Sequence, residues 1–123
     1  METVSTDNAP QAIGPYSQAV KANGFLFCSG QIALNKNGDM VGDDAASQAN
    51  QVMKNLYEVL IEAGSSFDKV VKTTIYLDNI DNFQTVNEVY ASYFERHKPA
   101  RVTVEVSRLP KDALVEIDCI AII

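Results

Sequence analysis

A chain of 123 residues that is 46% hydrophobic has room for one domain, spanning residues 1–123, whose core needs neither metal nor disulfide staples. Ten basic residues against sixteen acidic ones give a formal charge of −6, which argues against nucleic acid as a partner and leaves room only for a local basic pocket. No stretch approaches the roughly 20 apolar residues of a membrane span, and Cys28 and Cys119 sit in apolar alternating segments that suit buried thiols in a reduced, cytoplasmic setting.

The first seven residues are acidic and lack both an apolar core and an arginine-rich amphipathic pattern, so they read as neither a signal nor a transit peptide. Residues 8–16, punctuated by Pro10, Gly14 and Pro15, form a turn-prone lead-in that ends on Tyr16. Ser17–Ala22 and Phe25–Ser29 read as a hairpin around Asn23-Gly24, a dipeptide suited to the positive φ angles of a two-residue turn. Alternation puts Phe25, Phe27 and Ser29 on one face and Leu26, Cys28 and Gly30 on the other, which predicts a strand covered on both sides. A second hairpin is expected from Ile32–Asn35 and Asp39–Val41 around Asn37-Gly38. Asp43 and Asp44 then cap a helix whose buried stripe is Ala46, Ala49, Met53, Leu56, Leu60 and Ala63, and Gly64 stops it.

Asp68–Leu77 reads as a strand with Val71, Thr73, Ile75 and Leu77 on one face. A second helix is expected from an N-cap at Asp81, through Phe83, Val86, Tyr90 and Tyr93 or Phe94, to Pro99, with its aromatics assigned to the core. His97 falls in the last turn of that helix, where the dipole favours an imidazolium and no nucleophile neighbours it. The last quarter reads as two alternating strands, one up to Arg108 and one from Leu114, joined by a short polar turn. Arg101 opens the first of them. Glu116 shares a face with Leu114, Asp118, Ile120 and Ile122, so it is either exposed at an edge or held in a partly buried pocket. If these two strands pair as a hairpin with an odd sum of paired residue numbers, Arg101, Thr103 and Glu116 share one face, and we take that register as the expectation.

The element order predicts an α+β fold, a mixed β-sheet with both helices packed on one face. The other face, rich in Val, Ile and Phe, would then need a cover from self-association. No His-Glu-x-x-His, Cys-x-x-Cys, Gly-rich phosphate loop or nucleophile elbow occurs, so no metal or other cofactor is expected. Arginine's planar fork meets both oxygens of a carboxylate, which makes Arg101 either a clamp for a small carboxylate ligand or the partner of an acidic residue across a subunit interface.

The run Pro99-Ala100-Arg101, Val104-Glu105-Val106, Arg108-Leu109-Pro110-Lys111-Asp112, Val115-Glu116-Ile117 resembles the signature of the Rid, or YjgF, family of reactive-intermediate deaminases. Gly14-Pro15-Tyr16-Ser17-Gln18-Ala19, Ser29-Gly30-Gln31-Ile32, Val71-Lys72-Thr73-Thr74 and Val86-Asn87-Glu88-Val89-Tyr90 continue the resemblance over nearly the whole chain. It implies chorismate-mutase-like subunits in a homotrimer, with ligand clefts between neighbours. It also implies cofactor-free hydrolysis of 2-imino acids, such as 2-iminobutanoate and 2-iminopropanoate, to 2-oxo acids and ammonia. In that setting Arg101 binds the substrate carboxylate, Glu116 orders or activates the attacking water, and Tyr16, Ser29, Gly30 and Asn87 line the pocket. Thr103, on the strand face of Arg101, adds a hydroxyl, while Val102, where the family often has Ser, points to the opposite face and affects packing. Two other functions compete: a non-catalytic module that binds 2-oxo acids, and a translation-inhibiting ribonuclease. The acidic charge and the lack of a histidine acid/base pair disfavour the ribonuclease.

Overall fold

In the computed structural model, which describes residues 1–123, the chain runs through β1 (Glu2–Val4), β2 (Ala19–Ala22), β3 (Phe25–Gln31), α1 (Ala45–Glu62), β4 (Val70–Leu77), α2 (Phe83–Tyr93), β5 (Ala100–Glu105) and β6 (Val115–Ile122). Asn23 and Gly24 take φ angles of 52° and 81°, and Ala22 pairs with Phe25, so the first hairpin closes on the two-residue turn expected of Asn-Gly. The second expected hairpin shrinks to one bridge between Leu34 and Met40, because β3 leaves the sheet at Gln31. The amide of Asn55 on α1 holds that loop through the carbonyls of Ile32 and Leu34.

The sheet is mixed and ordered β1-β2-β3-β6-β4-β5. Only β4 and β5 run parallel, and α2 supplies the crossover that parallel neighbours require. This arrangement overturns the expected terminal hairpin: β5 and β6 do not touch as neighbours, and β4 lies between them. The segment 106–114 is too long for a tight turn, and β6, apolar at every second position, takes the central place between β3 and β4. The strand β1 carried no turn signal in the sequence and was not expected; it lengthens the sheet beyond β2.

Both helices cover the same face, as the element order predicted. α1 packs on β3, β6 and α2, burying Ala49, Val52, Met53, Leu56, Val59 and Leu60 against Leu26, Ile75, Ile117 and Ala121. The expected stripe on α1 is therefore present but wider, and Ala46 lies at its margin. Asp44 is the N-cap, its carboxylate accepting from the Ser47 amide at 2.7 Å. Each large aliphatic side chain buried here contributes about 1.5–3 kcal/mol.

Three local expectations change. In β4 an extra residue opposite β6, between Val70 and Lys72, shifts the alternation, so Val70 is buried and Val71 exposed. Asn79, not Asp81, caps the turn that leads into α2. α2 ends at Tyr93, because Phe94 leaves the helical region (φ −122°, ψ 51°) and enters the core; His97 thus lies beyond the helix, its Nε2 bonded to the Val70 carbonyl at 2.7 Å. The face away from the helices carries Phe25, Phe27, Val102, Val104 and Ile122, each 37–45% exposed in the single chain, so the expected double cover of β3 is absent within one copy.

Candidate active site

Arg101 begins β5 on the helix-covered side of the sheet, paired in register with Thr73. Its Nη1 donates to the Asn87 Oδ1 at 2.6 Å, and its guanidinium lies over the rings of Phe83 and Tyr90, 5.5 Å and 5.0 Å from their centroids. The Tyr90 hydroxyl is bonded to the buried Thr73 hydroxyl at 2.7 Å, which fixes the ring from behind. Burial pushes that phenol above its ordinary value, so it stays neutral. Two aromatics assigned to the core therefore also serve a polar group: Phe83 is exposed, and Tyr90 is buried up to the edge of a cavity of about 440 Å³ shared with Arg101. None of the chain's three ion pairs includes Arg101. The rest of its donor fork is free for a planar anion.

Glu116 lies on β6 in register with Tyr76, one residue out of step with Ile75 and Ile117, and so faces the open side of the sheet. Its carboxyl is held above the ordinary glutamate value, first by burial and then by the nearby Asp118 carboxylate. Around it is a cavity of about 580 Å³ lined by Tyr16, Ile13, Ser29, Gly30 and Lys111 among others. Ser29 donates its hydroxyl to the Ser17 carbonyl at 2.6 Å, and its amide bonds to Gln18, which ties this end of β3 to the loop carrying Tyr16. Gln18 is itself buried and holds Thr6 and Pro10 through three hydrogen bonds of 2.7–3.1 Å, so the lead-in lies as a strap over the pocket.

Gly30 owes its place to a bulge. Cys28 pairs with Cys119 but Gln31 pairs with Ile117, so β3 carries one extra residue at Ser29-Gly30, and the parity of the strand flips there. Gly30 therefore turns to the face of Glu116 instead of the face of Leu26 and Cys28 that simple alternation predicted. A Cβ on Gly30 would overlap the Glu116 carboxylate, 2.9 Å from its Cδ. Gly30→Ala is expected to fold but to push the Glu116 carboxylate aside, and a crystal structure of the variant with that carboxylate unmoved would contradict the close packing.

The expected single face for Arg101, Thr103 and Glu116 is not found. Arg101 and Thr103 pair with Thr73 and Ile75 on the helix side, whereas Glu116 pairs with Tyr76 on the open side. With β4 between β5 and β6, residue parity across three strands, not two, sets the faces. Thr103 lines neither cavity, and its buried Oγ1 has no partner within the chain. Val102 does point to the open side. The structure thus brings Tyr16, Ser29, Gly30 and Glu116 together on one side, and Arg101 with Asn87 on the other.

A family model described as Endoribonuclease L-PSP, the YjgF/Rid family, matches residues 6–123. The chain belongs to the YjgF/Rid family. This Rid-family chain is 53% identical over 121 residues to the RutC family protein PH0854 of Pyrococcus horikoshii, covering 98% of this chain and 96% of that one. It is 46% identical over 120 residues to human 2-iminobutanoate/2-iminopropanoate deaminase, covering 97% and 88%. Among solved structures, the Rid-family protein YyfA of Yersinia pestis, described as of unknown function, superposes with a TM-score of 0.97 at 54% identity over 99% and 98% of the two chains. The six-stranded mixed sheet with two helices is the Rid fold.

Sequence reasoning missed several groups that line the two cavities of this Rid-family chain. Lys98 shares the cavity of Arg101. Lys111 lies in the Glu116 cavity, and both it and Asp112 adopt φ 55°, a left-handed pair that non-glycine residues rarely form. The polar turn Pro110-Lys111-Asp112 was visible in the sequence as a turn, but nothing in its composition told which cavity it would reach.

Proposed function

We propose that the chain hydrolyses reactive 2-imino acids to 2-oxo acids and ammonia, in a homotrimer whose sites combine the Arg101 cavity of one copy with the Glu116 cavity of another. The observation that carries this reading is the Arg101 guanidinium, free of any ion pair within the chain, oriented by Asn87 and held over the rings of Phe83 and Tyr90, which presents a carboxylate-shaped fork in a concave wall. The activity named for the human relative fits that chemistry. The placement of Arg101 and Glu116 on opposite sides of one sheet supports a site shared between copies, and the exposed apolar face supplies a surface for their association.

In this reading Arg101 grips the carboxylate next to the imine carbon. Glu116 takes a proton from water as the water oxygen bonds to that carbon, giving a carbinolamine. The nitrogen is protonated, the C–N bond breaks, ammonia leaves and the carbonyl forms. The imine carbon is already electrophilic, so positioning and one proton acceptor suffice for the step. A ribonuclease reading has less support: neither cavity holds a histidine, and the one histidine is bonded to the Val70 carbonyl. The test is a coupled assay in which threonine dehydratase generates 2-iminobutanoate; faster ammonia and 2-oxobutanoate release is expected, and no acceleration would contradict the reading.

The pH profile has a defined sign. A base must be ionised, and both burial and Asp118 hold the Glu116 carboxyl protonated to higher pH than usual. The acid limb of kcat/KM reports that ionisation, with the Arg101 guanidinium of the neighbouring copy acting in the opposite sense in a shared site. Asp118→Asn removes the like charge and should move the limb to lower pH, while burial keeps part of the shift. A limb that stays put would remove Asp118 from the account.

A further inference from the structure

The Arg101 cavity holds a second cation. Lys98 and Arg101 line it together with Asn87, Tyr90 and Phe94, and no aspartate or glutamate does. Neither cation takes part in any of the chain's three ion pairs, which engage Lys21, Arg96 and Arg108. In a chain with a formal charge of −6, a concavity that gathers two unpaired cations and excludes every carboxylate is a local reversal of sign. Lys98 is also presented from a pinned backbone: His97 before it is bonded to the Val70 carbonyl of β4 at 2.7 Å, and Pro99 after it leads directly into β5.

We propose that Lys98 is a second anion-binding residue of this cavity, and that the site takes 2-imino acids whose side chain carries a second carboxylate. The inference rests on the imine-hydrolase reading for its chemistry and on Lys98 for its selectivity. The two cations suit different ends of such a molecule. Arginine's planar fork, held by Asn87, fits the carboxylate beside the imine carbon, while lysine, a mobile point charge on a long stem, fits a distal carboxylate without a fixed angle. A cavity of about 440 Å³ lies within the range of small-molecule sites and leaves space beyond a short alkyl side chain. The reaction keeps the same balance: water oxygen bonds to the imine carbon, the C–N bond breaks, ammonia leaves, and the second carboxylate is untouched. Such imines form when an acidic amino acid loses two electrons and two protons across its Cα–N bond. An amino-acid oxidase or dehydrogenase is thus the class of reaction that supplies them.

The test compares wild type with Lys98→Gln, a change at an exposed position that thermal melting should show to be folded. An amino-acid oxidase generates the imine of a monocarboxylic or a dicarboxylic amino acid in place, and kcat/KM is measured for each. The substitution is expected to lower the ratio of dicarboxylate to monocarboxylate kcat/KM about tenfold, the scale of one charge-assisted contact. An unchanged ratio would overturn the proposal. Calorimetry with 2-oxobutanoate and 2-oxoglutarate gives a readout free of turnover: wild type should bind the dicarboxylate more tightly, and Lys98→Gln should lose that preference. If wild type hydrolyses neither imine, the hydrolase reading fails, and the binding comparison alone still decides whether Lys98 receives a second carboxylate. Equal binding of the two oxo acids by wild type would overturn the proposal whatever the kinetics show.

Discussion

Arg101→Ala is expected to abolish imine hydrolysis while leaving the chain folded. Each charge-assisted contact to a carboxylate is worth about 1.5–3 kcal/mol, so loss of a two-point grip should cost at least roughly 10²-fold in kcat/KM. The stability cost is small by comparison, because Arg101 is exposed and makes no ion pair within the chain; what the chain loses is one bond to Asn87 and two contacts with Phe83 and Tyr90. Melting with added 2-oxobutanoate separates the roles. A ligand at 100 times its Kd stabilises wild type by about 2.7 kcal/mol, and the alanine variant should lose that protection. Arg101→Lys should restore little, since lysine lacks the planar fork. If Arg101 instead paired with a carboxylate buried against another copy, its removal would strand that charge and cost about 3–5 kcal/mol, so the variant would melt early or fail to assemble.

Glu116→Gln is expected to lower kcat by about 10²–10⁴-fold with little change in KM, the range associated with a positioned proton acceptor. Stability should change far less. The folded-state value of Glu116 is raised above the ordinary one, so its contribution is favourable below the ordinary pKa and is lost as pH rises through the raised value. Within one chain the ionised side chain therefore costs stability at pH 7, and the neighbouring copy's Arg101 offsets that cost where the two cavities meet. The glutamine protein should melt close to wild type there, and its acid limb in kcat/KM should vanish. Slower turnover together with an earlier melt would assign Glu116 a structural role instead.

Much of the local structure was legible in the sequence because its causes are local. Asn23-Gly24 set the first hairpin, Asp44 capped α1, and the spacing from Ala49 to Leu60 placed its buried face. Two mistakes share another cause. Alternation reports which residues of one strand share a face, but sheet order depends on contacts far apart in sequence, so nothing near Arg101 showed that β4 would separate β5 from β6. The bulge at Ser29-Gly30 shifts parity by one residue and reverses the face of Gly30, and no residue there marks it as a bulge except the glycine itself. Arg101 and Glu116 stood out from the residues themselves and the family resemblance gave all of the candidates their roles, but the sheet divides them: Arg101 and Asn87 beside α2, and Tyr16, Ser29, Gly30 and Glu116 around the open-side cavity. Lys98 and Lys111 went unnoticed because a lysine in a polar connection has the same local pattern whether or not a cavity forms beside it.

The division of the site between copies is tested most directly by mixing two inactive chains. Arg101→Ala and Glu116→Gln proteins are unfolded together, refolded at equal concentration and assayed for 2-iminobutanoate hydrolysis. If Arg101 and Glu116 meet across an interface, some sites in mixed assemblies join an intact Arg101 from one chain to an intact Glu116 from the other. Random assembly then predicts recovery of about a quarter of wild-type activity, the chance that both sides of a given interface are intact. If one chain supplied both groups, every site in the mixture would carry a defect. Activity no greater than the mean of the two separate variants, in a mixture shown to contain mixed assemblies, would contradict the shared site.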